Sequence, residues 1–418
     1  MTHFRITTRD KRSRARLGLI ETPHGLIHTP NFVPVATKAA LRGLSLAAAQ
    51  SYGAEIFMMN TFHLFCNDQY RIIGKLGGLH RFAGTSVPIM TDSGGFQILS
   101  LGFGREFKAG KTVSSAQLQR LEALDEERKT IGHTKAGKNL VKISEDGVSF
   151  TSPYDGQRLY LTPERSMEIQ KILGADICFA FDQCTSPLHS RAYLKEAMDR
   201  THRWAERSLA AFIKPKTRGS KFPTSGQMLF GIIQGGEHRE LRLASARFIA
   251  ALPFAGFGIG GSFGNAFGDS KRNMHRVLDW VIPELPEDKP RHLLGIGEID
   301  DLFEGVARGV DLFDCVIPTR FARYGTALTS QGKLNLRSPQ YRRDPKPLDP
   351  SCHCTTCQQH SRAYICHLMR EKELAGVMLM TEHNLAWVLD LMSRIRSSIQ
   401  DNTFAKLKAR TLRHYRLN

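Results

Sequence analysis

The sequence predicts an α/β protein whose main domain is a (β/α)8 barrel, with a small cysteine-rich module near the C-terminus. Eight short apolar segments have the length and composition of buried strands, and amphipathic helical segments fall between most of them. Strand–helix alternation indicates a parallel sheet, so a doubly wound sheet is the alternative architecture. The predicted strands are 32–36, 55–60, 88–92, 176–182, 228–234, 256–261, 292–296 and 311–317.

Three segments divide the chain. Residues 1–340 are predicted to form the barrel, and residues 341–383, rich in proline and cysteine, the separate module. Residues 384–418 are predicted to be a helical segment that completes the barrel and ends in a basic tail. Residues 104–142 are highly charged and interrupt the alternation, so we expect a surface insertion there, with one helix at 116–130.

The net charge of +18 is unevenly distributed. Residues 319–418 hold 17 Lys and Arg against 7 Asp and Glu, and residues 1–18 hold 6 against 1. A nearly neutral body with a basic C-terminal quarter favours a polyanionic partner, most commonly nucleic acid. The alternative is a solvated basic face without a partner.

The sequence has no uninterrupted apolar stretch of about 18 residues, which indicates that the chain does not span a membrane. No apolar run follows the basic N-terminal residues, so they do not have the pattern of a secretory signal. We therefore expect a cytoplasmic protein.

Three of the eight cysteines crowd together, and without a secretory signal this favours a metal over disulfides. Cys352, Cys354 and Cys357 form a C-x-C-x2-C run. Three thiolates and one imidazole make a closed tetrahedral Zn2+ site with no position for water, so the ion is expected to be structural. The candidates for the fourth ligand are His383, His353 and His360.

Polar residues and a glycine lie at the carboxyl ends of the predicted strands, where barrel enzymes carry their active sites. Two of them, Asp92 and Asp314, suit chemistry at a sugar C1′, because one carboxylate attacks the anomeric carbon and the other transfers a proton. The full set is Asn60, Asp92, Asp182, Gln234, Gly261 and Asp314.

A purine also has partners in this set. The carboxylate of Asp182 can accept the N1–H and 2-amino hydrogens of guanine, whereas adenine offers neither. Gln234 can donate its amide to guanine O6, and the glycines around Gly261 let backbone N–H groups approach the base.

Seven motifs together resemble the tRNA-guanine transglycosylase family, and they occur in order over nearly the whole chain. They are NTFHL (60–64), MTDSGGFQ (90–97), AFDQCT (180–185), FGIIQGG (230–236), FDCVIPTR (313–320), CHCTTC (352–357) and LMTEHN (379–384).

The resemblance implies a TIM-like (β/α)8 barrel with a zinc-binding subdomain inserted near the C-terminus, usually as a homodimer. It implies that Asp314 is the nucleophile and Asp92 the general acid/base. It also implies that Arg320 and Arg323 contact the tRNA anticodon loop. The implied substrate-binding residues are Asp182, Gln234, Gly261, Phe96 and Leu294, the last two on either face of the base, with Asn60 and Ser93. The implied ligands of one structural Zn2+ are Cys352, Cys354, Cys357 and His383.

The implied reaction is a two-step exchange at the wobble position. The guanosine is flipped out of the anticodon loop, and Asp314 displaces guanine to form a covalent ribosyl-enzyme. A 7-deazaguanine base then enters the same pocket and displaces Asp314. No redox or nucleotide cofactor is required.

The chain departs from the family's bacterial pattern after Gly261. Those members continue with Leu-Ala-Val-Gly-Glu, whereas residues 262–266 here are Ser-Phe-Gly-Asn-Ala. Gly264 replaces the valine and Ala266 replaces a glutamate that would bind an aminomethyl ammonium. The sequence therefore favours queuine over its aminomethyl precursor as the incoming base.

Two other functions are compatible with the fold. One is a non-catalytic RNA-binding subunit, which would have no use for Asp92, Asp182 and Asp314. The other is a transglycosylase that acts on DNA; the segment with Arg320 and Arg323 favours tRNA through the resemblance.

Overall fold

A computed structural model describes residues 3–98, 141–186, 189–214, 226–261 and 270–415. Its strands are β1 (Phe4–Arg9), β2 (Arg16–Thr22), β3 (Gly25–Thr29), β4 (Asn31–Pro34), β5 (Phe57–Met59), β6 (Ile89–Thr91), β7 (Val141–Ile143), β8 (Val148–Thr151), β9 (Arg158–Leu161), β10 (Ile177–Phe179), β11 (Met228–Ile233), β12 (Gly256–Ile259), β13 (Arg291–Leu293), β14 (Leu312–Cys315), β15 (Thr326–Thr329) and β16 (Gly332–Asn335).

Helices follow or separate most of these strands. They are α1 (Leu46–Ser51), α2 (Thr61–Cys66), α3 (Gln69–Lys75), α4 (Gly78–Ala83), α5 (Pro163–Leu173), α6 (Arg191–Ile213), α7 (Arg239–Ala251), α8 (Ser270–Val281), α9 (Ile299–Ala307), α10 (Ile317–Arg323), α11 (Thr355–Gln359), α12 (Arg362–Glu371), α13 (Leu374–Gln400) and α14 (Phe404–Leu412). Short 3-10 helices occupy Ile282–Glu284 and Pro339–Tyr341.

Eight strands form one sheet in the order β4-β14-β13-β12-β11-β10-β6-β5. The pairs β10–β11, β11–β12, β13–β14 and β14–β4 are parallel. A parallel bridge between Val35 and Met58 brings the first strand of this order to the last. The (β/α)8 barrel is confirmed, and the doubly wound alternative is wrong. Each of the eight predicted strands overlaps one barrel strand, and β4 and β13 each begin one residue before the predicted segment.

Burial explains why these strands could be predicted from the sequence. All six residues of β11 are buried, because a parallel barrel strand is covered on both faces and so consists of apolar residues throughout. Helix α5 shows equally clear local signals. Thr162 accepts a hydrogen bond from the Arg165 backbone N–H at the N-cap, Pro163 occupies the first turn, and Gly174 ends the helix at φ +72°.

The contacts divide the chain into two compact units. The first, the terminal unit, comprises Met1–Met59, Leu79–Met90 and Asp288–Asn418. It contains the antiparallel sheet β1–β2–β3, the hairpin β15–β16 and the long helix α13, which packs on α10. Arg16 and Asp311 form a fully buried bidentate ion pair there, with bonds of 2.9 and 2.6 Å.

The second, the central unit, comprises Asn60–Gly78 and Thr91–Glu287. It contains the antiparallel sheet β7–β8–β9 and the helices α5, α6 and α7, which pack on one another in sequence order. Residues 104–140 of the predicted insertion, with its predicted helix, lie outside the described residues. Residues 141 and 142 begin β7.

Candidate active site and metal centre

Asp92 follows β6 directly, and its half-buried carboxylate is held by three donors. The Thr61 backbone N–H donates to Oδ1 at 2.8 Å, and the Gln97 amide donates to Oδ2 at 2.7 Å. The Asn60 amide also donates to Oδ2. These donors fix the rotamer of Asp92 and orient its carboxylate.

Asp182 lies just beyond β10 and is only 3% exposed. Gln234 donates its amide to Oδ2 at 2.8 Å, the Cys184 thiol donates to Oδ2 at 3.3 Å, and the Ser93 hydroxyl donates to Oδ1 at 3.0 Å. Burial raises the pKa of Asp182, and these hydrogen bonds act in the opposite direction. The structure thus brings three predicted base-binding residues, Asp182, Gln234 and Ser93, into one buried cluster.

Among the buried amide oxygens next to these carboxylates, Oδ1 of Asn60 and Oε1 of Gln234 have no hydrogen-bond partner in the described part of the chain. Native structures rarely leave buried polar atoms unsatisfied, so each oxygen is available to accept a hydrogen bond from a bound water or ligand. In both residues the amide nitrogen is already engaged with a carboxylate.

Two glycines allow the backbone conformation of this cluster. A Cβ on Gly95 would lie 2.5 Å from the Asp182 carbonyl oxygen, so no larger residue fits between the Ser93 loop and Asp182. Gly261 follows β12 at φ +133°, a conformation that side chains rarely adopt. Residues 262–266, the departure from the bacterial pattern, lie outside the described residues.

The two residues predicted to enclose the base are both half-buried. Phe96 comes directly after Gly95, and Leu294 comes directly after β13. Their stacking on a base stays a prediction.

Asp314 is the third residue of β14, and its side chain is 14% exposed. Its Oδ1 lies 2.9 Å from Nε2 of His292 and accepts a hydrogen bond of 2.9 Å from the Gly295 backbone N–H. His292 lies on the neighbouring strand β13 and is fully buried. These two donors orient the carboxylate, as a nucleophile requires.

Arg320 and Arg323 lie on α10, which begins three residues after Asp314. Arg320 is exposed, whereas Arg323 is half-buried and donates to the Thr319 carbonyl at 3.3 Å. Burial lowers the pKa of Arg323, and repulsion from Arg42 and Arg320 lowers it further. The structure therefore places the two predicted RNA contacts in a concentration of positive charge.

The predicted metal ligands converge. The ligand atoms of Cys352, Cys354, Cys357 and His383, one from each side chain, all lie within 4.8 Å of one another. His383 Nδ1 is 3.6 Å from the Cys354 sulfur and 3.2 Å from the Cys357 sulfur. Around a tetrahedral Zn2+ with ordinary bond lengths, sulfur and nitrogen ligands are about 3.6 Å apart, so the four residues fit this ion.

The orientation of His383 supports the same assignment. Its Nε2 lies 2.8 Å from the Leu328 carbonyl, so Nε2–H donates there and Nδ1 faces the cysteines with its lone pair. His353 and His360, the rival ligands, are not part of the group, and His360 instead stacks on Tyr364. His383 is the tenth residue of α13, which runs unbroken from residue 374 to residue 400.

Two networks of hydrogen bonds support the metal ligands. Asp349 accepts from the backbone N–H groups of Ser330 and Ser351 at 2.6 and 2.9 Å and from the Trp387 indole at 3.1 Å. Glu382, next to His383, accepts from Thr356 at 2.6 Å and from Tyr52. The second network ties the cysteine loop to the end of α1.

Comparison with known proteins agrees with this geometry. The family model for queuine tRNA-ribosyltransferase matches residues 10–129 and 130–417. The chain belongs to the queuine tRNA-ribosyltransferase family. A queuine tRNA-ribosyltransferase from Roseiflexus sp. is 43% identical over 98% of this chain and 98% of its own length. One from Pelotomaculum thermopropionicum is 41% identical over 99% and 98%, and a relative from Archaeoglobus fulgidus is 46% identical over 94% and 96%.

Membership of the queuine tRNA-ribosyltransferase family confirms the predicted enzyme class. The chain is a glycosyltransferase of the pentosyltransferase type, a tRNA-guanine transglycosylase. Within the described residues, no helix is long and apolar enough to cross a membrane.

Sequence reasoning missed several residues of this chain that support the predicted ones. Gln97 and Thr61 lie inside the motifs MTDSGGFQ and NTFHL, and their spacing from Asp92 and Asn60 is a usable signal. No such signal in the sequence identifies His292 or Arg242 as a supporting residue. A histidine inside an apolar strand resembles a core residue, and an arginine in an amphipathic helix resembles a surface residue.

Proposed function

We propose that the chain exchanges the wobble guanine of a tRNA anticodon for a 7-deazaguanine base through a covalent aspartyl-ribosyl intermediate. The observation that carries the proposal is the Asp182 cluster. The buried carboxylate of Asp182 presents acceptors to the N1–H and 2-amino group of a guanine-like base, and Gln234 lies beside it at 2.8 Å.

Asp314 is the proposed nucleophile. Its carboxylate oxygen attacks C1′ of the ribose, and the bond from C1′ to guanine N9 breaks. Asp92 acts first as a general acid, donating a proton to the departing guanine. It then acts as a general base and accepts the N9 proton of the incoming base. The incoming nitrogen then attacks C1′, and the bond to Asp314 breaks. His292 and Gly295 hold the Asp314 carboxylate for this attack.

Zinc is proposed as a structural ion bound by Cys352, Cys354, Cys357 and His383, and it takes no part in the exchange. A homodimer and a cytoplasmic location are also proposed, both supported by the family resemblance. Incorporation of radiolabelled guanine into bulk tRNA tests the function directly. The proposal requires label in tRNA, and purified enzyme that incorporates none would refute it.

Queuine is the proposed incoming base. Gly264 in place of valine leaves room for a cyclopentenediol, and Ala266 in place of glutamate removes the partner of a small ammonium group. We expect a higher kcat/KM for queuine than for the aminomethyl precursor, measured at steady state with one cognate tRNA. Gly264→Val should impair queuine selectively. An equal or higher kcat/KM for the precursor would contradict the preference.

Arg242 is predicted to position Gln234. It is fully buried on α7 and donates to the Ile233 carbonyl at 2.9 Å and to the Gly236 carbonyl at 2.7 Å, on either side of Gln234. Ser245 of the same helix accepts the Gln234 backbone N–H at 3.1 Å. Arg242→Met should raise KM for guanine about 10- to 100-fold, since losing a hydrogen bond to a charged group costs about 1.5–3 kcal/mol.

The matched control for Arg242 is Arg247→Met. Arg247 lies on the same helix, but its side chain is 65% exposed and pairs with Glu284 at the surface. We expect this variant to keep the wild-type KM. Arg242→Lys should recover part of the affinity for guanine. A KM for Arg242→Met equal to that of the control would contradict the positioning role.

A further inference from the structure

Tyr324 is an exposed aromatic residue on a rigid backbone. It caps the C-terminus of α10, and its side chain is 62% exposed. Its N–H bonds to the Phe321 carbonyl at 3.0 Å, and the following Gly325 turns at φ +82° with its N–H on the Ala322 carbonyl at 3.0 Å. A planar ring on such a fixed turn loses little entropy when another ring stacks on it.

Arginines from several parts of the chain lie next to the residues on either side of this tyrosine, Arg323 and Gly325. The stem of Arg337 packs against Gly325, where an added Cβ would lie 3.0 Å from Arg337 Cγ. The Arg337 guanidinium donates to the Arg323 carbonyl at 3.4 Å. Arg42 and Arg320 are near enough to Arg323 to lower its pKa by repulsion, in addition to the effect of its burial.

These guanidinium groups lack acidic partners among the residues that the structure describes. No carboxylate forms an ion pair with Arg42, Arg320, Arg323 or Arg337 in the described ranges. Basic residues at the C-terminus of α10 are favoured by the helix dipole, which accounts for Arg320 and Arg323. The dipole does not account for Arg42, before α1, or for Arg337, after β16. Uncompensated positive charge from three parts of the chain is expected to bind a polyanion.

We propose that these residues form a platform for single-stranded RNA, on which Tyr324 stacks with an unpaired base and the arginines contact the adjacent phosphates. The inference rests on the proposed function and deepens it by assigning base stacking to Tyr324 and phosphate contact to Arg42 and Arg337. The polyanion is single-stranded RNA rather than duplex, because only an unpaired base offers its face to an aromatic ring.

The position of the platform along the chain supports this assignment. Tyr324 follows the proposed nucleophile Asp314 by ten residues, and α10 spans most of that interval at about 1.5 Å per residue. Nucleotides next to the exchanged guanosine would therefore meet the platform.

The test is fluorescence anisotropy with two labelled RNAs, an anticodon hairpin with guanine at the wobble position and a fully paired duplex of equal length. Tyr324→Ala should weaken hairpin binding about 5- to 100-fold and leave duplex binding unchanged, whereas Tyr324→Phe should bind like wild type. Arg337→Gln should reduce the slope of log K against log salt by about 0.7, and Tyr324→Ala should not change that slope. Tyr160→Ala, which removes an exposed tyrosine of β9, is the control and should bind normally.

Hairpin binding by Tyr324→Ala at wild-type strength would overturn the proposal, and so would equal weakening of hairpin and duplex. Both results are independent of catalysis. A wild-type enzyme that binds the hairpin through Tyr324 but incorporates no guanine would overturn the proposed function and leave the platform in place.

Discussion

Asp314→Ala is expected to abolish base exchange, with a loss in kcat on the order of 10⁴-fold or more, because a nucleophile cannot be replaced by water held elsewhere in the site. The covalent RNA adduct trapped on denaturing gels should disappear with it. Asp314→Asn is the sharper variant, since its amide oxygen can still accept from His292 and Gly295. It should fold normally and form no adduct. An adduct at full strength in either variant would refute the assignment.

Asp311 provides a matched control on the same segment. It lies just before β14, is fully buried and pairs with Arg16 in two hydrogen bonds. Asp311→Asn breaks a buried ion pair, a change that costs about 3–5 kcal/mol of folding free energy. This variant should unfold at lower temperature but still form the adduct in its folded fraction. The two aspartates are three residues apart, and comparing their variants distinguishes loss of catalysis from loss of stability.

Asp92→Ala should also lose turnover, for a different reason. Without the proposed acid/base, guanine leaves without a proton, so the adduct should form slowly. The affinity of the Asp92→Ala enzyme for tRNA should fall far less than its turnover, because phosphate contacts dominate binding to RNA. Binding and adduct formation measured on the same preparation distinguish this variant from a misfolded one.

The barrel strands were predictable because burial on both faces makes them apolar, as in β11. The two antiparallel sheets were not predicted. Strand β9 has the burial pattern exposed, half-buried, exposed, buried over four residues, and so short an alternation carries little signal. Such strands are fixed by their partners: β8 supplies the hydrogen bonds of β9.

Candidate site residues were predictable where a polar residue ends an apolar strand, as with Asp182 and Gln234. The supporting residues were not predictable, because their roles depend on neighbours distant in sequence. Arg242 reaches the backbone on either side of Gln234 only because α7 folds back on β11, and His292 meets Asp314 only across the β13–β14 pairing. Likewise, the choice of His383 over His360 needed the family resemblance at the sequence level, and the structure adds the bond from His383 to Leu328.

Removal of zinc is expected to destabilise the C-terminal module. Cys354 and Cys357 belong to a small apolar cluster with Leu348, Ile365 and Met369, which is too small to hold the polar loop around it. Cys354→Ser should lower zinc content from one ion per chain and lower Tm together. A drop in Tm on the order of 10 °C is expected, at about 2–4 °C for each kcal/mol lost.

Cys366→Ser is the matched control for the zinc prediction. Cys366 is fully buried on α12 in the same module, and its thiol contacts the Ser338 carbonyl at 3.6 Å rather than the metal ligands. This variant should retain one zinc per chain and lose little stability. Metal analysis by mass spectrometry and thermal unfolding of both variants measure the two quantities on the same samples.

Removing zinc with a chelator distinguishes a structural ion from a catalytic one, because the two roles predict different changes in stability and exchange rate. Four protein ligands leave no open position for water or substrate, so zinc should influence exchange only by maintaining the fold. His383 also lies on α13, which packs on α10, the helix that carries Arg320 and Arg323. Chelator should therefore lower Tm and RNA affinity together, with exchange falling in parallel. Zinc-free protein that kept its Tm and its exchange rate would show that the structural role is wrong.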